Sequence, residues 1–375
     1  MLIWGFAKVL FNIYGKKNLK LFNEGVDFLR DEDYEKALFI FKKLYDENFE
    51  INEVLIKLCF IYKELGDYKT SLKYINEYLI LNPNSGRGLK YKNEIFVKMG
   101  CYEDSLEISD MIIKLNDENL NFARLYKAKA LMELDRHVEA LNLLESIEFN
   151  EDEKIDPVLW EIKGNDYFYL YQYRKSIDCY FTALDLGLDE YDSFFNIGNA
   201  YAQLEEYENA LIYYDKALGL NEYDKDLWYN KSMSLFNLER YDDALFCINK
   251  ALDLDNNNFL LYNKAGILFK LNNFNESLEI YENLLEEMPN DIDLLIKICA
   301  VFYELKSFED ILKYSDMVLS IDDLNEEALF YKFLALKCLN KYEIALECVN
   351  ELLSKNSVNE EYISEKKELL KLIEK

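Results

Sequence analysis

The chain has 375 residues, half of them hydrophobic, and it carries a formal net charge of −28 at pH 7. Because binding to a phosphate backbone needs clustered cations, this acidic balance argues against nucleic acid as a partner. The seven cysteines form no Cys-x-x-Cys pair, so we expect reduced thiols in a cytoplasmic protein that holds no metal or other cofactor.

Residues 1–17 have an amphipathic pattern that differs from the rest of the chain. On a helical projection, glycine, lysine and asparagine share one narrow face, and apolar side chains cover the remainder. The pattern predicts an N-terminal helix that packs on the element after it. Two alternatives stay open for this helix, a membrane-surface anchor and a self-association helix that would make a homo-oligomer.

From residue 18 to residue 359 the sequence repeats itself about every 34 residues. The ten units are 18–51, 52–85, 86–120, 121–156, 157–190, 191–224, 225–257, 258–291, 292–325 and 326–359. The seventeenth residue of a unit is aromatic in nine units, and the twentieth is small in nine. This pattern predicts two antiparallel helices per unit, which approach closely at the small residue while the aromatic ring fills the space beside the turn.

Turn residues between the two helices of a unit support this division. Gly66, Gly100, Asn272 and Asn340 each stand where the first helix should end. Glycine and asparagine adopt the left-handed conformation most readily, so we expect left-handed residues at these four positions.

The period and its motif resemble the tetratricopeptide repeat (TPR) family. Trp228, Tyr229 and Asn230, followed by Ala244 and Ala251, show the motif most fully. The resemblance implies an all-α fold, a right-handed α-solenoid of antiparallel helix pairs over residues 18–359. It also implies a protein that binds other proteins.

Two segments depart from the regular period. The fourth unit ends in an acidic stretch before Pro157, which predicts a seam near residues 149–157. Residues 360–375 alternate acidic and basic residues with leucine and isoleucine. This pattern predicts a capping helix whose polar face shields the last repeat.

The sequence offers no catalytic constellation. His137 is the only histidine, and it occupies the aromatic turn position of its unit, so we interpret it as structural. Because that histidine is structural and there is no second one, we expect no Ser/His or Cys/His dyad. We therefore predict that the chain is not an enzyme.

In the TPR family the first helix of each unit lines a concave groove, which identifies candidate binding residues here. Asn196, Asn230 and Asn263 recur at the sixth position of consecutive units, and Lys297 is next in line. An asparagine amide both donates and accepts, so the row could hold a peptide backbone; the alternative is a solvated row of a common residue type. The candidates beside the row are Asn199, Phe195, Tyr229 and Tyr262.

Further upstream the groove positions are basic. Lys57, Arg87 and Lys90 are candidate contacts for an acidic peptide or a C-terminal carboxylate. Together with Asn23, two of them partly resemble the carboxylate clamp of chaperone-binding TPR domains, although Tyr91 stands where that clamp has a cation.

The sequence thus predicts a protein–protein interaction scaffold that binds an extended peptide or helix of a protein partner in the groove. The alternative is a structural, self-associating or membrane-tethered adaptor that acts through residues 1–17 and the outer surface.

Overall fold

The computed structural model describes residues 2–115, 120–147, 156–355 and 358–374, with side chains from residue 16 onward. These ranges contain helices and turns and no β-strand. The chain divides into two compact units, Met1–Asp189 and Glu190–Lys375. Each is an all-α solenoid of antiparallel helix pairs, as the sequence predicts, while the handedness stays a prediction.

Five helix pairs form the first unit. Their bounds are α1 Leu2–Arg30, α2 Tyr34–Asp46, α3 Ile51–Glu64, α4 Tyr68–Leu81, α5 Gly86–Lys98, α6 Tyr102–Leu115, α7 Leu120–Glu133, α8 His137–Glu145, α9 Pro157–Tyr169 and α10 Tyr173–Asp185. The second unit has five more pairs and a final helix. Their bounds are α11 Glu190–Gln203, α12 Tyr207–Leu220, α13 Lys225–Asn237, α14 Tyr241–Leu254, α15 Asn258–Lys270, α16 Phe274–Glu287, α17 Ile292–Glu304, α18 Phe308–Ile321, α19 Glu326–Cys338, α20 Tyr342–Lys355 and α21 Glu360–Ile373.

The two helices of a pair approach closely at the small residues that the period identifies. The hydroxyl of Ser71 on α4 donates to the backbone carbonyl of Cys59 on α3 at 2.6 Å. The same bond joins Ser277 to Ala265 at 2.8 Å. A larger side chain at either position would push the backbones apart, so the small residue sets the spacing within each pair.

A left-handed residue follows the first helix of each of the ten pairs. The predicted residues Gly66, Gly100, Asn272 and Asn340 all have positive φ, which confirms the expectation. The other six turns use non-glycine residues at the same place. These are Glu32, Asp135, Tyr171, Glu205, Glu239 and Lys306. Left-handed backbone is unfavourable for such residues, so the packing of the pair imposes the turn there.

The N-terminal helix is longer than the sequence predicts. α1 runs without interruption from Leu2 to Arg30, so residue 17 does not end a helix. Residues 2–30 contain no proline, and the side chain of Asn18 donates to Glu47 at 2.7 Å instead of capping a helix end. The side chains of residues 2–15, on which the anchor and self-association alternatives depend, lie outside the described part of the chain.

Residues 148–155, which include most of the predicted seam, also lie outside the described ranges. The boundary between the two compact units falls one helix pair later, between Asp189 and Glu190. At the C-terminal end, α21 packs against α20 and buries Tyr362 and Leu369. Its role as a cap stays a prediction.

No helix among the described residues is both long enough and apolar enough to cross a lipid bilayer.

Candidate peptide-binding surface

Four first helices of the second unit, α13, α15, α17 and α19, line an open pocket of about 430 Å³. One lining residue, Tyr281, comes from the second helix α16. The complete lining is Met233, Phe236, Tyr262, Asn263, Gly266, Phe269, Lys270, Tyr281, Lys297, Ala300 and Tyr331. The structure therefore brings together three residues that the sequence indicated, Tyr262, Asn263 and Lys297.

The aromatic walls of this pocket are held by packing against neighbouring rings. Tyr262 contacts Tyr281 edge to face, with ring centroids 5.7 Å apart. Phe269 packs in the same way against Phe274 at the turn, at 5.4 Å. Edge-to-face pairs restrict the rotamers of both rings, so the apolar walls are formed before any ligand arrives.

The asparagine row is partly engaged within the protein. The side-chain amide of Asn230 donates to Asn199 Oδ1 at 2.9 Å, and that of Asn263 donates to the backbone carbonyl of Phe259 at 2.8 Å. Asn196 has no side-chain partner among the described residues. Within that part of the chain the side-chain oxygens of Asn196, Asn230 and Asn263 all lack a protein donor, so each can still accept a bond from a ligand.

Asn199 is a structural link and differs in this from the other candidates. Its side-chain oxygen accepts both from Asn230 and from the buried hydroxyl of Tyr214, each at 2.9 Å. Two donors use the acceptor capacity of that oxygen. Only its amide hydrogens remain for a ligand.

Phe195 and Tyr229 support the repeat packing. The Phe195 ring lies 6.4 Å from Tyr214, and the Tyr229 ring lies 5.0 Å from Phe259. Both are half-buried against the apolar core of the second unit. These contacts leave only part of each ring accessible to a ligand.

The basic positions of the first unit are mostly engaged by the protein itself. Arg87 donates to both oxygens of Glu53, at 2.8 and 3.3 Å. The ammonium of Lys90 lies 4.4 Å from the ring centroid of Phe122. Lys57 is half-buried and forms no ion pair within the described ranges. Because Glu53 neutralises Arg87, the predicted clamp lacks a free guanidinium.

The only histidine forms a buried pair that the sequence did not reveal. His137 Nδ1 lies 2.8 Å from Asp166 Oδ1, and the histidine ring stacks on Tyr169 at 4.7 Å. Burial raises the pKa of the Asp166 carboxyl to about 6, although the bond from His137 lowers it. The sequence does contain a signal for this pair. Asp166 is the tenth residue of its unit, a position at which two other units have Ala130 and Ala200. Full burial of Asp166 makes the pair structural.

Comparisons with known proteins agree with the repeat pattern. Family models described as tetratricopeptide repeat match residues 191–224, 225–258 and 260–291, which are three consecutive helix pairs of the second unit. A TPR repeat-containing protein of Methanocaldococcus jannaschii is 27% identical over a match that covers 43% of this chain. That match covers 35% of the relative, so the chain spans about a third of its length.

Solved structures of similar chains include a tetratricopeptide repeat protein from Parabacteroides merdae ATCC 43184. It is 19% identical, with a TM-score of 0.49 over 68% of this chain and 99% of that one. YrrB, a TPR protein with an unusual peptide-binding site, is 21% identical, with a TM-score of 0.44 over 51% and 99% of the two chains. With its 34-residue period, its ten helix pairs and three matched repeats, this chain belongs to the tetratricopeptide repeat family.

Proposed function

We propose that this chain is a protein–protein interaction scaffold that binds an extended segment of a partner protein on the groove surface of its second unit. By groove surface we mean the face of α11, α13, α15, α17 and α19 that carries Asn196, Asn230, Asn263 and the 430 Å³ pocket. Stacked repeats generally present such surfaces to extended ligands.

The observation that carries the proposal is the combination of acceptors, cations and aromatic walls at one place. The free side-chain oxygens of the asparagine row can accept from the backbone N–H groups of a peptide. Lys297 is exposed and forms no ion pair among the described residues, so it can meet an acidic side chain. Aromatic walls beside these polar groups are typical of sites that bind peptides.

A second pocket, in the first unit, has a different chemistry. It measures about 470 Å³ and is lined by lysines and carboxylates together, among them Lys63 and Glu94, which form an ion pair at 2.8 Å. Because its charges compensate each other, it offers an acidic or basic peptide less net attraction than the groove surface.

The proposal is tested by affinity capture from native lysate with the unmodified chain and the triple variant Asn196→Ala, Asn230→Ala, Asn263→Ala. A matched control replaces three exposed asparagines of second helices, Asn275, Asn283 and Asn350, with alanine. We expect a partner that the unmodified chain and the control retain and the groove variant loses. Equal recovery by all three would place the function on the outer surface or on residues 1–17. Cytoplasmic localisation stays part of the proposal.

A further inference from the structure

Three buried tyrosines occupy the same place in their repeats, but only two have a hydrogen-bond partner. Tyr180 donates to Asn165 Oδ1 at 2.6 Å, and Tyr214 donates to Asn199 Oδ1 at 2.9 Å. The residue that corresponds to these asparagines beside Tyr281 is Gly266. The Tyr281 hydroxyl has no hydrogen-bond partner among the described residues, although only 2% of the residue is exposed.

Because Gly266 has no side chain, there is also an open space beside the Tyr281 hydroxyl. A Cβ atom built there would lie 3.7 Å from the Tyr281 hydroxyl and within 4 Å of nothing else. This opening belongs to the 430 Å³ pocket, and Tyr281 forms its inner wall because it alone comes from a second helix. The Tyr281 hydroxyl is accessible from this opening, so a ligand can supply the hydrogen-bond partner that an asparagine supplies to Tyr180 and to Tyr214.

The walls and the rim of the pocket restrict what that ligand can be. Phe236, Phe269 and Tyr262 provide aromatic walls, which favour an aromatic occupant. Lys270 and Lys297 are both exposed at the rim, and neither forms an ion pair within the described part of the chain. In a protein of net charge −28, two unpaired lysines beside an aromatic pocket favour an acidic neighbour for that occupant.

We propose that this pocket receives a tyrosine side chain from an acidic segment of the partner. Tyr281 hydrogen-bonds the hydroxyl of the incoming tyrosine, and Lys270 and Lys297 pair with the acidic residues beside it. The inference rests on the proposed function, because it assigns a side-chain preference to the same groove surface.

The test uses the full chain and a bead-displayed library of random twelve-residue peptides. Peptides retained by the unmodified chain should be enriched in tyrosine flanked by Asp or Glu. Gly266→Asn restores the acceptor that Tyr180 and Tyr214 have, and it fills the opening. It should therefore weaken the selected peptides at least tenfold.

Two further variants make the result specific. Gly219→Asn is the matched control. Gly219 is also a helical glycine with nothing within 4 Å of an added Cβ, but it lies on the second helix α12. This substitution should leave the affinity for the selected peptides unchanged. Tyr281→Phe removes only the hydroxyl. It should reduce the preference for tyrosine over phenylalanine in matched peptides from several-fold to none.

The outcomes separate this inference from the proposed function. Selected peptides without tyrosine, or peptides that bind Gly266→Asn as tightly as the unmodified chain, would overturn the pocket assignment. The proposed function would still stand if those peptides lost affinity for the triple asparagine variant. A library from which the unmodified chain retains nothing above background would overturn both.

Discussion

Asn230 donates its side-chain amide to Asn199 at 2.9 Å and thereby joins the first helices of two consecutive repeats. The same oxygen of Asn199 accepts the hydroxyl of Tyr214, which is 1% exposed. The Asn199 side chain thus links the buried Tyr214 of its own repeat to Asn230 in the asparagine row of the next repeat.

Replacing Asn199 with alanine should destabilise the second unit by about 1–3 kcal/mol, because it removes the two hydrogen bonds that its side-chain oxygen accepts from Tyr214 and Asn230. The matched variant Asn263→Ala removes only a bond to its own helix and should change the free energy of unfolding by less than about 0.5 kcal/mol. Urea denaturation of the two variants gives the comparison. Equal losses of stability would show that Asn199 is not a structural link.

The left-handed turns predict opposite effects for two substitutions. Lys306 has φ 58°, so Lys306→Gly relieves backbone strain and should raise the free energy of unfolding by up to about 1 kcal/mol. Gly66 has φ 77° with nothing within 4 Å of an added Cβ, so Gly66→Ala should lower it by about 1 kcal/mol through backbone strain alone. Thermal or urea unfolding measures both. The same sign for the two changes would contradict the turn geometry.

Two helical glycines of the second unit should respond differently to alanine. A Cβ at Gly198 would lie 2.5 Å from the Tyr214 ring, so Gly198→Ala should destabilise the unit by about 1–3 kcal/mol. At Gly266 the nearest atom would be 3.7 Å away, and alanine favours a helix over glycine by about 1 kcal/mol. Gly266→Ala should therefore be neutral or stabilising. Circular dichroism melting curves distinguish the two, and a destabilised Gly266→Ala variant would argue against the open pocket.

The buried carboxyl of Asp166 predicts a pH dependence of stability. Burial raises its pKa to about 6, above the value of about 3.9 in an unfolded chain. The stabilising contribution of its neutral form is therefore complete below about pH 4 and is lost as the pH rises through 6. The Asp166→Asn variant lacks this titration, so between pH 4 and pH 7 it should gain about 2–3 kcal/mol relative to the unmodified chain. Urea denaturation at several pH values measures the difference, and parallel profiles would exclude a raised pKa.

Much of the fold could be predicted because the period constrains it at many positions. Ser71 and Ser277 lie where the small residue was expected, and their bonds to the facing helix show why it must be small. Turns such as the one at Lys306 could be located only from the period, since lysine itself gives no turn signal. The continuity of α1 was missed because the repeat starts at residue 18, but a repeat boundary need not end a helix.

The candidate site was predicted less completely. Tyr262, Asn263 and Lys297 were found because groove positions recur along the chain. Gly266 and Tyr281 were missed, although asparagine at the ninth position pairs with tyrosine at the twenty-fourth in two earlier repeats, and the loss of that pair was visible in the sequence. The engagement of Arg87 by Glu53 depends on side-chain conformations that spacing alone does not determine.

Binding of a partner segment at the groove surface is the central requirement of the proposed function. Titration calorimetry of the captured partner segment against the unmodified chain, the Asn196/Asn230/Asn263→Ala variant and the Asn275/Asn283/Asn350→Ala control measures this binding. Three lost hydrogen bonds should weaken the groove variant by about 2–4 kcal/mol, roughly 30- to 1000-fold in Kd, and leave the control unchanged. An unchanged Kd for the groove variant would contradict the proposed function.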